Sequence, residues 1–506
     1  MVNKLNKKKS SASSVFIISL VLSVILIVIG LFFPSQLDTV MNAAFDFLTN
    51  NFTWTYLLSM MLFVVFALFI AFSKWGKIRL GPDDSRPQYS TLSWFTMLFT
   101  SGMGIGIVFW SVAEPIEHFL NFGATPDAAA FAMKKTVMHW SFHPWATYAV
   151  IGLAFAYFQF RKKTPSLMSS MLTPLIGEKR AKGKLGKAID IFVILATVVG
   201  VASSMGQGIL QINAGLNHTF GVNVNFITQV IIALIITAVF LFISQLGIDK
   251  GIKVMSDFNL YLAGAIALVV FLLANGSTVF NNMINTIGNY LGSFIQDSLA
   301  TKPFESKEWL GSWTIFYWAW WICWGPFVGT FIARISKGRT IREFILGVLV
   351  LPSIVSMLWF SIFGTLGIGT DIALLNTIQG KAENALFVVF SQFGFGNVLS
   401  VAAIILLCIF FVVSANSSTY VLAMFTDKGS LNPSNKKKII WGLVPAVLSL
   451  ALLATGGLSA LKTSLVLVAF PLIVIIIMVC ISIYKALGKE KNLKKNDNNG
   501  TVIKDD

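Results

Sequence analysis

The chain has 506 residues, 56% of them hydrophobic and only 12% charged, with a mean hydropathy of +0.76. Soluble domains carry roughly 25% charged residues, so the composition excludes an ordinary soluble enzyme or binding module and points to an integral membrane protein. The net charge of +16 would suit a nucleic-acid partner in a soluble protein, but here it gathers in short segments between apolar runs, where membrane topology accounts for it.

The chain opens with a basic tail, Lys4, Lys7, Lys8 and Lys9, followed by an apolar run. That run is too long for a signal peptide and reaches Pro34 without a small-residue cleavage motif, so it reads as a first membrane span. Runs of about 20 apolar residues then predict spans at 13–33, 54–73, 91–112, 139–160, 188–210, 226–246, 257–275, 311–333, 345–367, 398–424, 437–457 and 462–483. The expected fold is all-α, with twelve transmembrane helices, because barrel strands would be shorter and alternating. Between the seventh and eighth spans, residues 276–310 place Phe280, Met283, Ile284, Ile287, Leu291 and Phe294 at near-helical spacing, which predicts an amphipathic linker helix.

Orientation follows from the basic residues. With the N-terminus inside, 32 of the 38 Lys and Arg fall in inner segments, and Lys134, Lys135, Lys302, Lys307, Lys381 and Lys462 are the outer six. Both termini are therefore expected in the cytoplasm of a multi-pass cell-membrane protein. The short C-terminal tail, 484–506, carries Lys485, Lys489, Lys491, Lys494 and Lys495, a cluster that can meet anionic lipid. The other expectation for it is that it only fixes topology.

Enzyme signatures are missing: there is no nucleophile elbow, zinc-protease helix or nucleotide loop. His139 and His143 could share a helix face, but no carboxylate lies beside them in sequence, so they read as interfacial residues rather than a metal site. Asp190 and Asp257 sit near inner helix ends, and no deep titratable group stands out to carry a proton. A coupling ion would then need neutral oxygens.

Two spans look internally broken. The third contains Ser101-Gly102-Met103-Gly104-Ile105-Gly106, and three alternating glycines weaken a helix. The eighth contains Trp324-Gly325-Pro326, whose proline removes a backbone donor. The alternative for both is close helix packing through small residues. Discontinuous helices at matching places suggest a transporter's midplane site. Spans three to seven (91–275) and eight to twelve (311–483) would form two inverted five-helix repeats. They would follow the tail (1–12) and two N-terminal helices with their loop (13–90), with 276–310 as linker. Aromatic residues crowd the eighth span as Trp313, Phe316, Tyr317, Trp318, Trp320, Trp321 and Trp324, and the fourth adds Trp140, Trp145 and Tyr148. Tryptophan at a boundary is ordinarily an anchor, which suits Trp313 better than Trp321 or Trp324. Several ring faces around a cavity suit a quaternary ammonium group. A channel would need a continuous polar lining instead.

These segments together resemble the betaine/carnitine/choline transporter family. The resemblance rests on Trp313-Thr314-Ile315-Phe316-Tyr317-Trp318-Ala319-Trp320-Trp321, Gly325-Pro326-Phe327-Val328-Gly329, Ala333-Arg334-Ile335-Ser336, the glycine motif at 102–106, His139-Trp140 and His143-Pro144-Trp145, over roughly residues 12–485. It implies secondary transport of a quaternary ammonium solute such as glycine betaine, with carnitine or choline as alternatives, and a homotrimer. It implies aromatic boxes drawn from Trp140, Trp145, Tyr148, Trp318, Trp320, Trp321 and Trp324, near Gly102 and Met103, with Phe331 on the cytoplasmic side. It implies no cofactor other than a coupling sodium ion, held at one site by the carbonyls of Thr100 and Met103 and by Ser414. A second site would use Thr197 and the Phe327 carbonyl. Val413 and Val201 stand where the family places hydroxyl residues, with Ser203, Ser204 and Asn416 nearby. Gly106 replaces the aspartate that choline carriers often have, which favours a zwitterion.

Overall fold

A computed structural model describes residues 13–102, 104–246 and 249–490. It is all-helical, and nine helices among the described residues are long and apolar enough to cross a membrane. The principal helices are α1 (Ser14–Phe32), α2 (Pro34–Phe72), α3 (Thr91–Gly102), α4 (Ile105–Asn121), α5 (Pro126–Trp140), α6 (Phe142–Ala156) and α7 (Lys184–Phe220). They continue as α8 (Phe226–Leu246), α9 (Asp249–Leu273), α10 (Gly276–Gly292), α11 (Phe316–Ile335), α12 (Ile341–Ile368), α13 (Gly396–Thr426) and α14 (Asn435–Gly488).

The differences from the predicted spans have local causes. The third predicted span is two helices, α3 and α4, interrupted between Gly102 and Ile105. The fourth is also divided, where Ser141 departs from helical geometry between α5 and α6. The last two run together in α14, which covers 54 residues and breaks at Gly456 and Gly457, with φ +59° at Gly457. Unbroken, it would measure about 80 Å, far more than the ~30 Å hydrocarbon layer. The linker holds α10 and a short helix, Phe294–Ser298, then leaves helical geometry until Glu308.

The eighth span corrects an expectation. Pro326 lies inside the continuous helix α11, which is not broken there. The glycines beside it serve close approach instead: a Cβ at Gly329 would stand 2.8 Å from Ile151 and 3.0 Å from the Gly152 nitrogen. The Thr330 hydroxyl donates to the Pro326 carbonyl at 2.7 Å. Small residues here bring α11 against α6, which is the packing alternative. Helix α11 is buried on almost every side, which explains why its sequence is apolar all round.

At one end of the bundle the loops are tied together. Leu80 N–H donates to the Arg339 carbonyl, Gly338 N–H to Leu80 and Ile341 N–H to Ile78. Beside them, Glu490 accepts from Arg161 Nη2 at 2.9 Å, Lys162 Nζ at 2.6 Å and Tyr157 Oη at 2.8 Å, while Arg161 Nη1 reaches Asp83 at 2.7 Å. The lysines from 491 onward lie outside the described residues. Burial raises the Glu490 carboxyl, but the hydrogen bonds from Arg161, Lys162 and Tyr157 outweigh it and hold the group at about 2, below its ordinary 4.5. A depressed carboxylate stabilises the folded state above its ordinary pKa, and that contribution fades as pH falls from about 5 toward 2. Glu490→Gln is therefore expected to destabilise the purified protein by roughly 1–3 kcal/mol at neutral pH. Melting curves of both proteins should draw together as pH drops from about 5 toward 2, and a gap independent of pH would contradict this account.

Candidate substrate and ion site

The bulky rings of α11 and the α5–α6 junction meet beside the interruption of the third span. Trp320 and Trp321 lie nearly parallel, 6° apart with centroids 5.1 Å apart. Trp140 stands across them at 72° to Trp321 and 78° to Trp320. With Trp324, Gly104, Gly106 and Ile107 they line one small cavity of about 10 Å³. Gly106 is needed there for space: a Cβ would come within 2.5 Å of Trp320 and 3.2 Å of Trp140. An aspartate at 106 would have to displace a tryptophan.

Each indole is fixed by its own N–H. Trp140 donates to Glu114 Oε2 at 2.8 Å, Trp321 to the His139 carbonyl at 2.8 Å, Trp320 to Ser204 Oγ at 3.0 Å and Trp324 to the Gly200 carbonyl at 3.0 Å. Four ring planes held this way present π faces in a pocket whose lining contains no carboxylate. Such a lining attracts a cation that has no N–H protons to donate.

The other predicted aromatic residues are arranged around this cage at increasing remove. Tyr148 touches Trp321 edge-on at 6.4 Å, and Trp145 packs on Tyr148 at 5.6 Å. Trp318 points elsewhere, stacking on His143 at 4.7 Å. Phe331 is half-buried beyond the cage on α11.

Behind the cage lies a group the sequence reading missed. Glu114, His118 and His139 are fully buried together, which overturns the expectation that no carboxylate stands beside the histidines and no titratable group lies deep. Glu114 Oε1 is 2.6 Å from His139 Nδ1 and 3.4 Å from His118 Nε2, and His139 Nε2 meets Thr314 Oγ1 at 2.9 Å. The three ligand atoms fall within 4.8 Å of one another, a spacing that could hold a metal ion. Two of the ligand atoms are already engaged, the carboxylate by His139 and Trp140, so the cluster is better described as a buried hydrogen-bonded charge. The signal was present as Glu114-Pro115-Ile116-Glu117-His118, which puts Glu114 and His118 one helical turn apart.

The betaine/carnitine/choline transporter model matches residues 14–492. The chain belongs to this family. Its members are transporters, not enzymes. The chain is 45% identical to the glycine betaine transporter OpuD of Bacillus subtilis (strain 168) over 489 residues, 95% of each protein. It is 38% identical to an ectoine/hydroxyectoine transporter of Virgibacillus pantothenticus over 502 residues, 97% of this chain and 99% of that one. A glycine betaine transporter of Acinetobacter baylyi is 37% identical over 485 residues, 94% of this chain and 73% of the relative.

Within this transporter fold, the residues expected to hold sodium come together only in part. A second small cavity, about 10 Å³, is lined by Ser414, Phe327, Val201, Ser204, Ser418 and Trp324, among others. Ser414 sits against the chain interruption, since a Cβ on Gly104 would be 3.2 Å from its hydroxyl. Thr197 is not in that lining, and its hydroxyl donates to the Val193 carbonyl one turn back. Val413 lines a different cavity, with Trp359 and Asn259, so it turns away from Ser414. Thr100 and Gly102 belong to the end of α3, and Met103 lies outside the described residues. Serine hydroxyls and backbone carbonyls are the hard oxygen donors a small cation requires. Ser414, Ser418 and Ser204 supply the hydroxyls in this cavity.

Proposed function

We propose that this transporter takes up glycine betaine, or a close quaternary ammonium osmolyte, by sodium-coupled alternating access, and so serves osmotic protection. The observation that carries the reading is the tryptophan cage with no carboxylate in its lining. A protonated amine would leave its N–H donors unpaired there, whereas a methylated cation presents only a diffuse charge to the rings. Gly106 favours a zwitterion over choline, because no side chain at that point can supply a balancing charge. The relatives named as glycine betaine transporters support the same choice, and the one named for ectoine keeps other compatible solutes in view.

Sodium is proposed at the cavity of Ser414 and Phe327, beside the interrupted helix, with the carbonyls of Thr100 and Met103 as further ligands. Twelve spans are proposed by counting α3–α4 and α5–α6 as one span each and α14 as two. The last ten would form two inverted repeats, 91–275 and 311–483, with both termini cytoplasmic and three chains per assembly. Proton coupling is the second reading, favoured by the buried Glu114–His139 pair. Reconstituted liposomes supplied with labelled betaine, carnitine and choline under separate sodium and proton gradients decide between them. Betaine accumulation driven by sodium alone is the expected result. Uptake that follows only the proton gradient would refute the sodium assignment, and a strong preference for choline would refute the substrate.

A further inference from the structure

A second set of rings, at the bundle end that carries the 276–298 helices, already holds a cation. Lys462 Nζ lies 4.6 Å from the Trp313 ring centroid, 4.7 Å from Phe316 and 5.6 Å from Trp110. Among the described residues no carboxylate forms an ion pair with it. The nearby Glu117 is committed to the Gly380 N–H at 2.6 Å, and Glu114 to His139 and Trp140. The lysine is aimed rather than loose. Its neighbour Leu461 is fully buried, and the Leu461 carbonyl accepts from Ser203 and Ser464. Trp110 is likewise fixed, donating to Gln207 Oε1 at 2.9 Å.

This set is continuous with the tryptophan cage. Trp110 and Trp313 are 5.4 Å apart, Phe316 stacks on Trp320 at 5.5 Å, and Trp320 faces Trp140 at 6.0 Å. A solute moving between rings from this end would meet the ammonium of Lys462 before it met the inner cage.

We propose that Lys462 is a specificity-determining residue: its ammonium occupies the first set of rings, repels free cations, and pairs with the carboxylate of a zwitterionic solute on its way inward. The inference rests on the quaternary-ammonium reading above and adds the discrimination between zwitterion and cation. A permanent cation without a carboxylate gains nothing from the lysine and loses the ring faces it fills. A betaine exchanges water for a charge-assisted hydrogen bond.

The test compares wild type, Lys462→Met and Lys462→Arg in proteoliposomes. Labelled betaine uptake is measured against rising tetramethylammonium and choline. In Lys462→Met the rings are released, and tetramethylammonium is expected to inhibit about tenfold more strongly, a factor between the exposed and the desolvated cation–π contributions. The betaine KM should rise severalfold with kcat kept, and Lys462→Arg should restore wild-type selectivity. Unchanged inhibition in Lys462→Met overturns the proposal, as does loss of selectivity in Lys462→Arg. If Lys462→Met does not fold, Lys462→Gln takes its place. Tryptophan fluorescence of the purified proteins, titrated with tetramethylammonium, reads the released rings without transport: saturable quenching is expected at lower concentration and with larger amplitude in the variant, and identical curves count against the proposal. Wild type that takes up no quaternary ammonium solute would instead refute the underlying function.

Discussion

Glu114→Ala is expected to lower betaine affinity by roughly a hundredfold. Glu114 Oε2 holds the Trp140 N–H, and Oε1 holds His139, whose own carbonyl holds Trp321. Two walls of the cage therefore depend on one carboxylate. Alanine leaves two buried donors without an acceptor, each costing about 1–3 kcal/mol. If about 3 kcal/mol of that appears as lost cage geometry, affinity falls about a hundredfold. Glu114→Gln keeps one acceptor oxygen but turns an NH₂ toward the other donor, so it should fall between. Binding to purified protein, with size-exclusion profile and melting point as folding controls, reads the effect. A well-folded Glu114→Ala protein with wild-type affinity would remove Glu114 from any positioning role.

The clustering of the tryptophans was legible in the sequence, and its support was not. Trp320, Trp321 and Trp324 share one short segment, and spacing alone puts them on neighbouring turns of a buried helix. Trp140 joined them through the resemblance of His139-Trp140 to the family pattern. Glu114 escaped because the predicted third span, 91–112, ends before it. Helix α4 instead continues to Asn121. What makes a charge acceptable there is a set of donors 25 and 26 residues away, and a hydropathy profile cannot see partners that only the fold supplies.

The opposite error occurred at Gly325-Pro326, where a local rule suggested a break. Proline does remove a donor, but a continuous helix tolerates that when neighbouring helices pack closely on it. Ile151 and Gly152 of α6 are the neighbours that do so. Val413 and Val201 illustrate a third limit. The family resemblance placed both at ion-site positions; Val201 lines the cavity with Ser414, whereas Val413 faces another one.

Trp324→Leu is expected to weaken betaine binding about thirtyfold while the protein still folds. A desolvated cation–π contact is worth about 2 kcal/mol or more, which converts to roughly that factor. Leucine keeps the lining apolar but removes the ring face and the N–H bond to the Gly200 carbonyl at 3.0 Å. Trp324 also lines both small cavities, the tryptophan cage and the one beside Ser414. A side chain shared by two sites gives each a physical means of sensing the other, since a change in its position alters both linings at once. The substitution should therefore raise the sodium concentration needed for half-maximal uptake as well as the betaine Kd, and it should flatten the dependence of betaine affinity on sodium. Ser414→Ala, which leaves the cage rings in place, should shift sodium dependence far more than betaine affinity at saturating sodium. Binding isotherms at several sodium concentrations separate the two effects. A Trp324→Leu protein that loses betaine affinity by the same factor at every sodium concentration would leave the cage intact as a binding site and exclude the ring as the link between solute and ion.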